Sequence, residues 1–137
     1  MPEHENTIKD KLITGCIIFA ALLIAMFMIA FDITKRAEHE FKEGEKFYTF
    51  YKAPDIKKQY YNDQLINKKI TEAEYEMYME DNALKNAYVE YQTVIDLFTP
   101  PESKWVKLSR ARLQEITPIY NAWIESLKQS KSEVSDN

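Results

Sequence analysis

Cysteine occurs once in the 137 residues, as Cys16, so no disulfide can close within the chain and no all-cysteine zinc or iron–sulfur site can be built. Glycine occurs only twice, where average usage predicts roughly ten. An all-β chain, which needs many turns with positive φ, is thereby excluded, and an all-α fold is the expectation. Histidine is nearly as scarce: His4 lies near the N-terminus and His39 stands among Glu38, Glu40 and Glu43. A di-iron bundle needs paired Glu-x-x-His motifs, but the residue three before His39 is Arg36. No Cys-x-x-Cys-His haem site, glycine-rich phosphate loop, serine nucleophile elbow or zinc-protease histidine pair is present. The expectation is therefore a protein with no enzymatic activity, no cofactor and no metal.

Charge of one sign is also lacking in excess, because 18 basic residues face 22 acidic ones for a net charge of −4. Such a balance does not steer nucleic acid, so no nucleic-acid partner is expected.

What is present is one long apolar run. Residues 12–31 contain no charged side chain, and 20 residues at 1.5 Å rise span about 30 Å, the thickness of one hydrocarbon core. With Lys11 and Asp32 at its ends, this reads as a transmembrane helix over residues 12–32, preceded by a short polar tail over 1–11. A cleaved secretory signal would carry small residues after its apolar core, whereas Asp32, Ile33, Thr34, Lys35 and Arg36 follow here. The Ile13-Thr14-Gly15-Cys16 sequence imitates a lipoprotein box, but almost all the apolar residues come after the cysteine rather than before it. The flanks disagree on orientation. Lys35, Arg36, Lys42 and Lys46 outnumber Lys9 and Lys11, while a short tail before a first span commonly stays inside; the second consideration places the C-terminal domain on the extracytoplasmic side. Ala21 and Ala25 form a small-x-x-x-small pair, and with Gly15 they are candidates for packing against other membrane helices.

Beyond the span, residues 33–128 read as an α-helical extramembrane domain. Ala37, Phe41, Gly44, Tyr48 and Tyr51 recur at helical spacing, and Pro54 ends that stripe and opens a second helix through about Ile66. Thr71 to Glu74 forms a capping box from which one long helix is expected, with Met77, Leu84, Tyr91 and Phe98 every seven residues and Ala87 and Val94 between them. Thr99-Pro100-Pro101-Glu102 should stop it and cap the next, which carries Val106, Leu113, Tyr120 and Leu127, with Ile116 and Trp123 between. Two matched seams joined by a tight turn predict a long antiparallel hairpin, with Pro118 kinking or splitting the second arm. The same seams could instead pair two chains, which leaves a homodimer open. Residues 129–137 read as a polar tail.

Two surfaces are candidates for binding. Tyr91, Phe98, Trp105 and Trp123 offer aromatic partner contacts. Lys57, Lys58, Lys68 and Lys69 would share a face if their segment stayed helical, offering a basic patch to anionic lipid or an acidic partner; a solvated surface complemented by the following acidic residues is the plainer alternative. The whole pattern suggests a single-pass accessory or scaffolding subunit whose partners are the bilayer and other membrane-protein subunits. The alternative is a membrane-tethered module that hosts a small molecule between its helical arms.

Overall fold

The apolar spacing of the sequence is realised entirely as helix in the computed structural model, which describes residues 3–100 and 102–135, with the side chains of 9–100 and 102–131. Five helices follow one another: α1 (Glu3–Lys52), α2 (Pro54–Ile66), α3 (Glu72–Glu80), α4 (Ala83–Leu97) and α5 (Lys104–Ser135). No strand occurs among the described residues. Internal packing divides the chain into two units, Met1–Lys35 and Arg36–Asn137.

In the first unit the apolar run forms no core. From Leu12 to Phe31 its thirteen large hydrophobic side chains are each more than half exposed. The hydroxyls of Thr14 and Thr34 donate to the carbonyls of Asp10 and Ala30, both at 2.8 Å, so neither depends on an outside partner. This is one helix long and apolar enough to cross a membrane. Residues 3–11, read from sequence as a polar tail, already belong to α1, while the His4 side chain lies outside the described residues.

In the second unit the core joins Ala37, Phe41 and Tyr48 of α1, Leu84, Ala87, Tyr91 and Val94 of α4, and Val106 and Ile116 of α5. Burying each large member contributes about 1.5–3 kcal/mol. The α1 stripe holds as far as Tyr48, but Tyr51 is left half-exposed and Phe50 is buried in its place. There the facing element changes: the Phe50 ring meets Tyr60 and Tyr61 of α2 at 5.4 and 5.8 Å. Tyr61 in turn stacks on Tyr78 of α3 at 4.9 Å, which fastens α2 to α3. The order of contacts along α5 follows that along α1, with Phe41 against Trp105, Glu45 against Arg112 and Tyr48 against Glu115, so α1 and α5 run parallel. Between α4 and α5 the rings of Tyr88 and Tyr120 stack at 4.3 Å.

The boundaries depart from the sequence reading in four places. The capping box at Thr71 and Glu74 forms, but the helix it opens ends at Glu80 rather than continuing to Phe98. Asp81 is extended, and Asn82 starts a new helix by accepting the Lys85 N–H at 2.9 Å. Met77 therefore leaves the heptad seam and is 56% exposed. The second expected box, Thr99 with Glu102, is replaced by Ser103, whose hydroxyl accepts the Val106 N–H at 3.4 Å; Pro101 lies outside the described residues. Pro118 does not split α5. It sits on the exposed side, as does Gln114, whose carbonyl loses its in-helix donor there and can turn to water. The helix then continues through residues 129–135, which the sequence suggests as tail, and residues 136–137 lie outside the described part.

Gly44 sets the distance between α1 and α4. A Cβ placed there would stand 2.7 Å from Cε1 of Tyr91, a ring that is fully buried and tied by its hydroxyl to Glu45. With the ring buried and its hydroxyl held, Gly44→Ala should overpack this junction and cost about 1–3 kcal/mol. Thermal or denaturant unfolding of the full chain in detergent would read that loss, and a wild-type melting point would refute the close approach.

Candidate functional site

A polar assembly reaches across three helices, and its charged members, Glu45, Arg112 and Glu115, are residues that the periodic pattern does not single out. Arg112 of α5 grips Glu45 of α1 side-on, with Nε to Oε1 at 2.6 Å and Nη2 to Oε2 at 3.0 Å. Tyr91 of α4 donates its hydroxyl to the same Oε1 at 2.6 Å. Arg112 Nη1 also reaches Glu115 Oε2 at 2.9 Å, and Glu115 Oε1 accepts the Tyr48 hydroxyl at 2.6 Å. Burial pushes the Glu45 carboxyl upward, but the hydrogen bonds from Arg112 and Tyr91 outweigh it and hold the group below its usual range. The bond from Tyr48, followed by that from Arg112, lowers Glu115. Tyr48 is raised to about 12, chiefly by its bond to Glu115 and then by burial, and burial followed by the bond to Glu45 raises Tyr91 further still. At neutral pH both phenols keep their protons, and their donors are spent on carboxylates within the domain. What this arrangement does chemically is join α1, α4 and α5.

A second feature on α4 is acidic. Glu90 is raised to about 7, first by burial and then by its hydrogen bond with Glu40 and the nearby Glu43, with Lys46 opposing. Lys46 is itself paired with Glu43.

The candidate residues separate once placed in the fold. Tyr91 cannot serve as a partner contact: it is fully buried, with its ring 5.7 Å from Phe41 and its hydroxyl on Glu45. Phe98 and Trp105 are partly buried against the core, and Trp105 meets Phe41 at 5.5 Å while keeping an open edge. Trp123 packs on Tyr120 at 5.7 Å. It also lines a cleft of about 440 Å³ with Phe50, Tyr51, Lys57, Leu84 and Ile119.

The four lysines do not form one face. Lys57 is buried, and its ammonium donates to the carbonyls of Met79 and Asp81 at 3.1 and 2.7 Å, closing the C-terminal end of α3. Burial lowers its pKa, with Asp81 opposing. Lys58 remains exposed on α2, but Lys68 and Lys69 lie beyond the end of that helix, so helical spacing no longer relates them to Lys57. Lys68 has φ 55, and the Lys68 and Lys69 amides bond back to Leu65 and Gln64, which is a left-handed helix stop usually made by glycine. In the first unit Gly15, Ala21 and Ala25 are all exposed. Ala21 and Ala25 share a face, whereas Gly15, six residues before Ala21, is roughly a third of a turn away from it. Among the described residues no group of three or more His, Cys, Asp or Glu side chains could hold a metal.

The polar junction yields two expectations. Arg112→Met leaves Glu45 and Glu115 without their cation and should cost about 1–3 kcal/mol at neutral pH. Because the Glu45 carboxyl is depressed, that stabilisation is present above its ordinary value and fades as pH falls through the depressed one, so variant and wild type should converge in acid; parallel melting curves across pH would contradict the linkage. Glu90 has the opposite sign. Its folded carboxyl holds a proton to about 7 rather than 4.5, so its contribution is full below 4.5 and is lost as pH rises through 7. Glu90→Gln should therefore raise the melting temperature at pH 8 and leave it nearly unchanged at pH 4.

Comparison of the chain with protein-family models, with curated proteins and with solved structures finds no match. The functional reading accordingly rests on the geometry.

Proposed function

We propose that the chain is a non-catalytic, single-pass accessory or scaffolding subunit of a larger membrane protein complex. The observation that carries this reading is the contrast between the two units. The thirteen large hydrophobic side chains from Leu12 to Phe31 are each more than half exposed, although hiding each from water is worth about 1.5–3 kcal/mol. A bilayer supplies that cover, and the internally bonded hydroxyl of Thr14 suits a helix that has no water around it. In this reading Lys11 and Asp32 mark the two boundaries, the short N-terminus is cytoplasmic, and the domain over Arg36–Asn137 stands on the extracytoplasmic side.

The domain acts as a brace. Its α4 and α5 form an antiparallel hairpin, supported by the Tyr88–Tyr120 stack and by the short connection between Leu97 and Lys104. With Tyr91 used inside, the aromatic groups left for neighbouring subunits are Phe98, Trp105 and Trp123, while Ala21 and Ala25 offer the membrane helix a close approach to another helix. A second reading, a tethered ligand-binding module, is favoured by one feature, the aromatic cleft around Phe50, Tyr51 and Trp123.

Native mass spectrometry after mild-detergent extraction at natural expression level decides between them. The accessory reading expects stoichiometric, salt-resistant partner subunits, with the double change Ala21→Leu and Ala25→Leu lowering their recovery roughly tenfold. Unchanged recovery would remove the membrane helix from the interface. A chain that emerges alone or as a homodimer would overturn the subunit reading, and a ligand-dependent rise in its melting temperature would then support the second.

A further inference from the structure

The connection between α4 and α5 has an exposed apolar composition that the domain's own packing does not explain. Leu84 and Val94 on α4 are buried, yet Leu97 at the end of the same helix is 70% exposed. Pro100 is exposed, Phe98 and Trp105 keep open edges, and Leu108 is exposed one turn further along α5. Lys104 and Lys107 are exposed among them, with the Lys104 ammonium 4.5 Å above the Trp105 ring. The acidic neighbours are occupied: Glu102 pairs with Arg110 at 3.4 Å, and Asp96 accepts from Gln92 at 2.9 Å. Leucine, tryptophan and lysine together are the composition of a membrane–water boundary.

The contacts also say where this connection lies. Trp105 is level with Phe41, and α5 then climbs beside α1 through Glu45 and Tyr48, so the start of α5 and the turn before it occupy the end of the domain from which residue 36 departs. Ala37, the first residue of the domain core, is only five residues past Asp32. Five residues of chain reach at most about 17 Å even when fully extended. The turn thus belongs to the end of the domain at which the chain enters it, a few residues after Asp32 in sequence.

We propose that residues 97–100 and 102–107 form a second membrane contact, a foot that inserts Leu97, Phe98 and the exposed part of Trp105 into the boundary between headgroups and acyl chains, with Lys104 and Lys107 on lipid phosphates. This rests on the single-pass reading and adds to it a reason for the domain to stay against the bilayer.

The chain has two tryptophans, so Trp123→Phe leaves Trp105 as the sole fluorophore and Trp105→Phe leaves Trp123. The full chain is reconstituted into phosphatidylcholine and phosphatidylglycerol vesicles that carry bromine near the top of the acyl chains, and vesicle flotation in alkaline carbonate is run in parallel. The foot requires flotation together with loss of about half of the Trp105 emission, and little loss from Trp123. As a check that does not alter a packed ring, Leu97→Cys in a Cys16→Ser background is labelled with a polarity-sensitive dye, whose emission should shift to the blue when vesicles are present. Flotation with unquenched Trp105 and an unshifted dye overturns the foot while leaving the membrane span intact, as it would if another subunit or a second copy covered the turn. A chain that carbonate strips from the vesicles overturns both.

Discussion

The close approach of α4 to α1 at Gly44 is the constraint on which the domain depends. Because no Cβ stands at Gly44, the Tyr91 ring can approach the α1 backbone closely and send its hydroxyl to Glu45 one residue further on. That carboxylate then has a fixed position, and Arg112 can approach it side-on with two parallel hydrogen bonds. A steric permission at one residue thus becomes an electrostatic junction among three helices. The register of α5 follows from it, since Arg112 sits three residues before Glu115 and so brings that carboxylate to Tyr48 one turn along α1.

Apolar seams alone would not select this arrangement. Helices packed through leucine and valine slide past one another at modest cost, whereas a half-buried carboxylate removed from its guanidinium is left without compensation. The network therefore lends specificity to a core that is otherwise a stack of rings and aliphatic side chains. One polar group departs from this economy: the hydroxyl of Ser109 is buried without a partner on the same helix as Arg112, a cost the surrounding packing has to absorb.

Much of the fold was legible from sequence because it follows from periodicity and from residues with a fixed meaning. Pro54 at the head of α2, the box at Thr71 and Glu74, and the apolar positions Ala37, Phe41, Leu84, Val94, Val106 and Ile116 all occupy the expected places. The failures share one physical origin. A heptad count from Met77 to Leu84 runs through a break made by Asn82, whose capping bond is local, and by Lys57, whose ammonium arrives from 22 residues away. The Glu45–Arg112 pair, separated by 67 positions, carries no local signature at all. Tyr91 stands both on the apolar seam and among the candidate partner contacts, and which of the two it serves depends on a glycine in a different helix. Binding residues are the least legible part of the sequence because a binding surface is what remains after such long-range contacts have been made.

That remainder follows a consistent logic. The two units solve the problem of apolar surface in opposite ways: one leaves its leucines, isoleucines and phenylalanines open on every side, and the other hides them behind an ionic junction. The single-pass reading proposed above answers this contrast by giving each unit its own medium. Lys35 and Arg36 stand at the division between the units in sequence, and within the second unit Trp105 packs on Phe41, near the start of that unit. The helices deeper in the domain, around Phe50, Tyr61 and Tyr78, close on one another ring against ring. The contacts proposed above lie where neither solution is complete: at the small face of the apolar helix and at the turn between α4 and α5.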